Sequence, residues 1–271
     1  MKLVYFGDVL GKSGRTALAD HLPRVMDELQ PDFVMANGEN AAHGFGITEK
    51  ICGQFFDMGI DVITTGNHAW DQREIINYID TEPRLLRPLN YPELTPGNGS
   101  GVFEARNGAK VYVAQIMGRL FMDPLDDPFI AIDKALEKQE LGKTFDCAVV
   151  DIHAEATSEK MAVGQYLNGR VSMVVGTHSH IPTADAQILS DGTAYQTDLG
   201  MCGDYDSVIG MKPSAAIGRF MKKMPAERLS PAEGVATLCG VYLETDATTG
   251  KATRIEPIRL GGKLAEQLPN S

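Results

Sequence analysis

The chain has 271 residues, 43% hydrophobic and 23% charged, enough to bury a substantial core and typical of a globular protein. Its 36 acidic residues against 25 basic ones give a formal net charge of -11, with no Lys/Arg run. That balance argues against a protein that grips long nucleic acids through their phosphates, while a small phosphate substrate stays compatible if bound cations reverse the charge locally. No stretch approaches the ~18 apolar residues of a membrane span, and the apolar run at the N-terminus, cut short by Asp8, is too brief for a signal peptide. Cys52, Cys147, Cys202 and Cys239 lie far apart without a paired spacing, so no disulfide framework is implied and a reducing cytoplasm is expected.

In chain order, residues 2–7 predict a buried strand stopping at Gly7-Asp8, and 16–29 carry apolar positions at helical spacing. Residues 33–36 predict a second strand ending in Asn37-Gly38-Glu39-Asn40. Thr48 predicts the N-cap of a helix running to Met58. Residues 62–65 predict a third strand, which runs into Gly66-Asn67-His68. A hairpin is expected over 102–117, turning at Asn107-Gly108, followed by a helix over 129–141. Strands over 147–152 and 171–176 end in His153 and in Thr177-His178-Ser179-His180. Strands at 184–189 and 193–198, a helix near 214–223 and a hairpin of 234–245 with 252–260 complete an α/β pattern.

The chemistry sits at strand ends: Asp8, Glu39 and Asn40, Asn67 and His68, His153, and His178 with His180. In α/β sheets, ligands bind just beyond the carboxyl ends of strands, so five such ends predict one shared site. Because that site draws on residues 8 through 180, residues 1–271 are expected to form a single domain. His178 and His180, one residue apart after a strand, are expected to point to the same side. His153 adds a third imidazole, with Asp151 or Glu155 available to orient it. Asp8 and Glu39 supply anionic oxygens, and Asn40 and Asn67 supply neutral carbonyl oxygens.

Seven candidate ligands exceed the needs of one four-coordinate ion, so two ions sharing Glu39 are expected. Oxygen and nitrogen donors without thiolate suit manganese, iron, zinc or cobalt, and a catalytic role rather than a structural one. His68, turned away from Asn67, is expected on the substrate side as a proton donor or phosphoryl stabiliser. His21, within the first amphipathic helix, reads as structural, and His43 as a rim residue with a weaker case.

These blocks, with Gly66-Asn67-His68-Ala69-Trp70-Asp71, Arg87-Pro88-Leu89-Asn90-Tyr91-Pro92, His153 through Lys160, and Thr197-Asp198-Leu199-Gly200-Met201, resemble the calcineurin-like metallophosphoesterase superfamily, and more narrowly its bacterial YmdB-type branch. The resemblance covers essentially the whole chain. Two departures from the broader superfamily pattern, Leu10 where a histidine is usual and Glu39 where an aspartate is usual, are shared with that branch. It implies a four-layer αββα sandwich of two mixed β-sheets. By the same resemblance one metal takes Asp8, Glu39, Asn40 and His180, and the other takes Glu39, Asn67, His153 and His178.

It further implies iron or manganese in the site, dimers or tetramers, and a phosphodiesterase acting on cyclic nucleotides, above all 2′,3′-cyclic ones, through a metal-activated hydroxide with His68 assisting the leaving group. Two other readings stay open at this point. One is a general phosphomonoesterase or nuclease on the same site; the other is a metal-binding regulator with little catalysis.

Overall fold

The computed structural model describes residues 1–222 and 227–270. Its elements in chain order are β1 (Lys2–Val9), α1 (Gly11–Leu29), β2 (Phe33–Asn37), α2 (Glu49–Asp57), β3 (Val62–Thr64), α3 (Ile75–Tyr78), β4 (Leu85–Leu86), β5 (Ser100–Glu104) and β6 (Lys110–Met117). There follow α4 (Pro128–Leu136), β7 (Cys147–His153), α5 (Thr157–Tyr166), β8 (Met173–Thr177), β9 (Gln187–Ile188), β10 (Ala194–Gln196), β11 (Met201–Cys202), α6 (Pro213–Lys222), β12 (Leu238–Thr245) and β13 (Ala252–Leu260). Among the described residues no helix is long and apolar enough to cross a membrane.

The strands form two mixed sheets. A seven-stranded sheet runs β13-β12-β1-β2-β3-β4, with β11 alongside β1, and a six-stranded sheet runs β5-β6-β7-β8-β10-β9. Strands β1 through β4 are mutually parallel in the first sheet, as are β6, β7, β8 and β10 in the second.

The period-2 alternation of β1 explains the layering. Leu3 and Tyr5 join Phe33, Met35, Val113, Val149 and Met173 in a core between the sheets. Val4 and Phe6 face the other way, against Leu18, Leu22, Val25 and Phe55 of α1 and α2. On the far side, Ala148, Val150 and Val174 pack with Ile132 of α4 and Val163 of α5. Three apolar layers thus separate four structural ones, the expected αββα sandwich. Strands covered on both faces need apolar residues at every position, which is why β1, β2, β7 and β8 read as unbroken apolar runs.

Most of the longer elements fall where they are predicted, while the short α3, β4 and β11 were not anticipated. The helix expected to reach residue 141 ends at Leu136, where a turn takes over, Gln139 N donating to Leu136 O at 3.0 Å. The strand expected over 184–189 narrows to Gln187–Ile188. Residue 223 of the last predicted helix lies outside the described residues. Helix α5 was not anticipated: it buries Glu159, Lys160, Val163 and Gly164, so its inner face carries two charged groups and no apolar stripe.

Candidate metal centre

The carboxyl ends of β1, β2 and β3 meet those of β7 and β8 across the inter-sheet layer. Asp8 and Glu39 are at most 1% exposed, as is His153. Two groups of potential ligand atoms result: Asp8, Glu39 and His180 in one, and Glu39, His153 and His178 in the other, each within 4.8 Å of its companions. Glu39 belongs to both.

Each side chain is aimed by a specific partner. Asn37 donates to Thr65 O at 2.8 Å and accepts from Glu39 N at 3.0 Å, folding the turn that directs Glu39 inward. The Asn40 amide donates to Gly44 O at 3.1 Å, which leaves its carbonyl oxygen 3.2 Å from His180 Nε2. His180 Nδ1 lies 2.8 Å from Ile209 O, so its Nε2 is the nitrogen presented to the cluster. Asn67 Oδ1 and Glu39 Oε2 lie 2.9 and 3.1 Å from His153 Nε2.

Beneath His153, Nδ1 meets Thr177 Oγ1 at 2.8 Å, and that hydroxyl donates to Asp151 Oδ1 at 2.8 Å. Asp151 also accepts from Tyr5 at 2.5 Å and from Gln115 at 2.7 Å, a closed buried network that fixes the imidazole ring. Of the two carboxylates weighed for orienting His153, Asp151 does so through Thr177, while Glu155 instead meets His178 Nε2 at 3.2 Å.

His178 and His180 converge for a different reason than strand alternation. Strand β8 ends at Thr177, and both histidines lie in the left-handed region, at φ +95° and +67°. This uncommon loop is braced by Asp198, which accepts from Ser179 N at 3.1 Å, Ser179 Oγ at 2.7 Å and Gly200 N at 2.8 Å. Lys160, 1% exposed, pairs with the same carboxylate at 2.7 Å and supplies the charge that lets it stay buried.

The electrostatics are those of a cation site. Burial pushes the Asp8 carboxyl up to about 7, with His180 opposing and Glu39 adding to the rise. Burial also works against an ionised Glu39, but the His153, His68 and His178 imidazoles together outweigh it, His153 foremost, and hold that carboxyl well below the usual range. Reciprocally, burial would lower His153, yet Glu39 lifts it to about 9. His178, buried beside His153, is pushed down to about 3 and stays neutral.

Asp8 Oδ1 is buried without a hydrogen-bond partner, and such an atom costs free energy unless something charged meets it. Two carboxylates, three imidazoles and amide oxygens around that orphan oxygen fit a hard or borderline divalent ion, which would take the place of the proton that Glu39 holds on His153.

His68 lies at the rim, with its side chain 26% exposed. Its Nδ1 is 2.8 Å from Asp71 Oδ2, and Phe45 packs edge-on against the ring at 5.2 Å between centroids. Asp71 is a partner that sequence reasoning passed over, although a carboxylate three residues after a histidine is a readable signal. Thr177, Ser179 and Lys160 were passed over too, and nothing local marks them. His43, on the loop near Asn40, is exposed at φ +55°.

A family model described as "YmdB-like protein" matches residues 4–258. The chain belongs to the YmdB-like family. Among its relatives, a Bacillus subtilis (strain 168) protein described as 2′,3′-cyclic-nucleotide 2′-phosphodiesterase is 47% identical over 258 residues, covering 95% of this chain and 96% of that one. The structure of a hypothetical protein from Thermus thermophilus superposes with a TM-score of 0.90 at 42% identity, covering 97% of this chain and all of its own. The structure of a novel phosphatase from Mycoplasma pneumoniae gives a TM-score of 0.89 at 34% identity, covering 96% and 93%. The two-sheet architecture is therefore that of YmdB-like proteins over nearly the full chain.

Proposed function

We propose that this YmdB-like protein is a dinuclear metal-dependent phosphodiesterase acting on cyclic nucleotides, the 2′,3′-cyclic ones foremost. Its class, a phosphoric ester hydrolase, rests on the named activities of its relatives, and the Bacillus subtilis relative's description supports the choice of substrate. The observation that carries the dinuclear reading is the sharing of buried Glu39 between two ligand groups, beside an orphaned Asp8 oxygen. Asp8, Glu39, Asn40 and His180 hold one cation, and Glu39, Asn67, His153 and His178 hold the other. The oxygen-rich donor set favours manganese or iron. Bound there, the cations supply Lewis acidity, lowering the pKa of a water and offsetting charge on the phosphoryl group.

The protein's own groups then divide the work. Asn40 and Asn67 add donor atoms without adding negative charge, which keeps the site from repelling an anionic phosphodiester. Asp71 engages His68 Nδ1, which fixes the ring and leaves Nε2 for the substrate. As water adds to phosphorus, releasing a proton to solvent, the bond to one ribose oxygen breaks and His68 delivers a proton to that oxygen, later regaining one from solvent. The phosphate stays on the remaining ribose oxygen, now as a monoester. Hydrolysis of 2′,3′-cyclic AMP by purified protein supplied with Mn2+, beside Asn67→Ala and His68→Ala, tests the reading. Turnover that both substitutions abolish supports it; no turnover of any cyclic nucleotide with both metals bound refutes it.

A further inference from the structure

The loop after β6 takes no part in the phosphoryl chemistry, yet it is built into the same rim. Gly118 N donates to His153 O at 3.0 Å, so the loop departs from beside a ligand. The next two backbone amides, of Arg119 and Leu120, donate to the Glu159 carboxylate at 3.0 to 3.2 Å. Glu159 is 8% exposed, and these bonds clasp the loop against α5.

Beyond the clasp, Phe121 is 90% exposed at φ +62°. A bulky aromatic residue in the left-handed region is an outlier, and such strain persists where the surroundings enforce it. Here the enforced conformation holds the ring out of the core instead of folding it in.

The neighbouring wall is aromatic as well. Trp70, two residues from His68, meets Tyr91 edge-on at 5.8 Å between centroids. Asn90, next to Tyr91, donates to Met117 O and to Asp126 O at 2.9 Å each, which ties this wall to the strand end where the loop begins and to the loop's far end. Phe121 is three residues from Gly118, so its Cα lies within about 11 Å of the backbone beside His153.

We infer that Phe121 is the stacking platform for the substrate's nucleobase, a specificity residue that lies outside the phosphoryl site. Resting on the cyclic-nucleotide reading, it places the phosphate at the ligand cluster and the base against the ring held out by Glu159. Stacking tolerates every base because each has a π-face, and it favours purines by their larger area.

The test is calorimetric binding of adenosine 3′-monophosphate and of base-free 1-O-methylribose 3-phosphate to the Mn2+-supplied protein. Wild type should bind the nucleotide about tenfold more tightly than the base-free compound. Phe121→Ala should bring the two close to equality, and Phe121→Trp should keep the preference. A preference that survives in Phe121→Ala overturns the inference, as does a wild type with no preference. If the preference survives while sedimentation shows a changed oligomeric state, Phe121 is a contact between copies and the inference is equally overturned. Turnover is not part of this readout, so failure of the phosphodiesterase reading would be seen separately, in the hydrolysis assay.

Discussion

Gly66 stands between β3 and Asn67 with no room for a side chain. A Cβ there would lie 2.2 Å from Glu39 Oε2, 2.4 Å from His153 Nε2 and 2.5 Å from His153 Cε1. Ordinary contacts of carbon with such atoms are about 3.5 Å, so Glu39 and His153 would each have to retreat by about 1 Å. Both are buried to within 1%, and metal sites tolerate displacements of only about 0.2 Å. Gly66→Ala should therefore strip both ion positions through their shared carboxylate while leaving the fold in place. Overpacking of this size costs about 1–3 kcal/mol, a modest fall in melting temperature. Mn2+ titration by calorimetry should show affinity down by about 10–100-fold, the scale seen when groups supporting a metal's ligands are lost. A Gly66→Ala protein that binds two Mn2+ with wild-type affinity and turns over normally would refute this use of the geometry.

Lys160→Met leaves the Asp198 charge buried without its cation and should destabilise the fold by about 3 kcal/mol, since three hydrogen bonds to Asp198 survive. Urea unfolding reads this, and a change under about 1 kcal/mol would contradict it. His68→Ala should lower kcat about 10²–10⁴-fold with metal stoichiometry unchanged, and Asp71→Asn should lower it less, by loosening the ring; loss of metal in either variant would argue against the division of roles. Burial holds Cys147 up to about 11 and Cys52 and Cys239 up to about 12. The folded state therefore keeps thiol protons that the unfolded chain gives up near pH 9, and stability should fall as pH rises from about 9 towards 12. A thiol reagent at pH 8 should label these cysteines only after unfolding, and rapid labelling of native protein would contradict their burial.

How much was legible in the sequence follows from where the information lies. Strands β1, β2, β7 and β8 are buried on both faces and end abruptly in polar residues, so both their existence and their chemical ends can be read along the chain. The Thr48 cap of α2 is equally local, the hydroxyl accepting from Ile51 N at 3.3 Å. Helix α5 was not legible, because an inward face of Glu159 and Lys160 carries meaning only once their partners, the loop after β6 and Asp198, are in place. The brace on the His178–His180 loop is likewise long-range, joining residues 19 and 38 positions apart. His178 and His180 were picked out by residue type, yet their convergence rests on two left-handed residues that alternation does not foresee.

The central claim is that one carboxylate joins two ion positions, and Mn2+ stoichiometry of four proteins tests it most directly. Wild type should bind two ions per chain, His178→Ala and His180→Ala one each, and Glu39→Ala neither tightly. One ion in the wild type, or a Glu39→Ala protein that still holds two, would contradict the account.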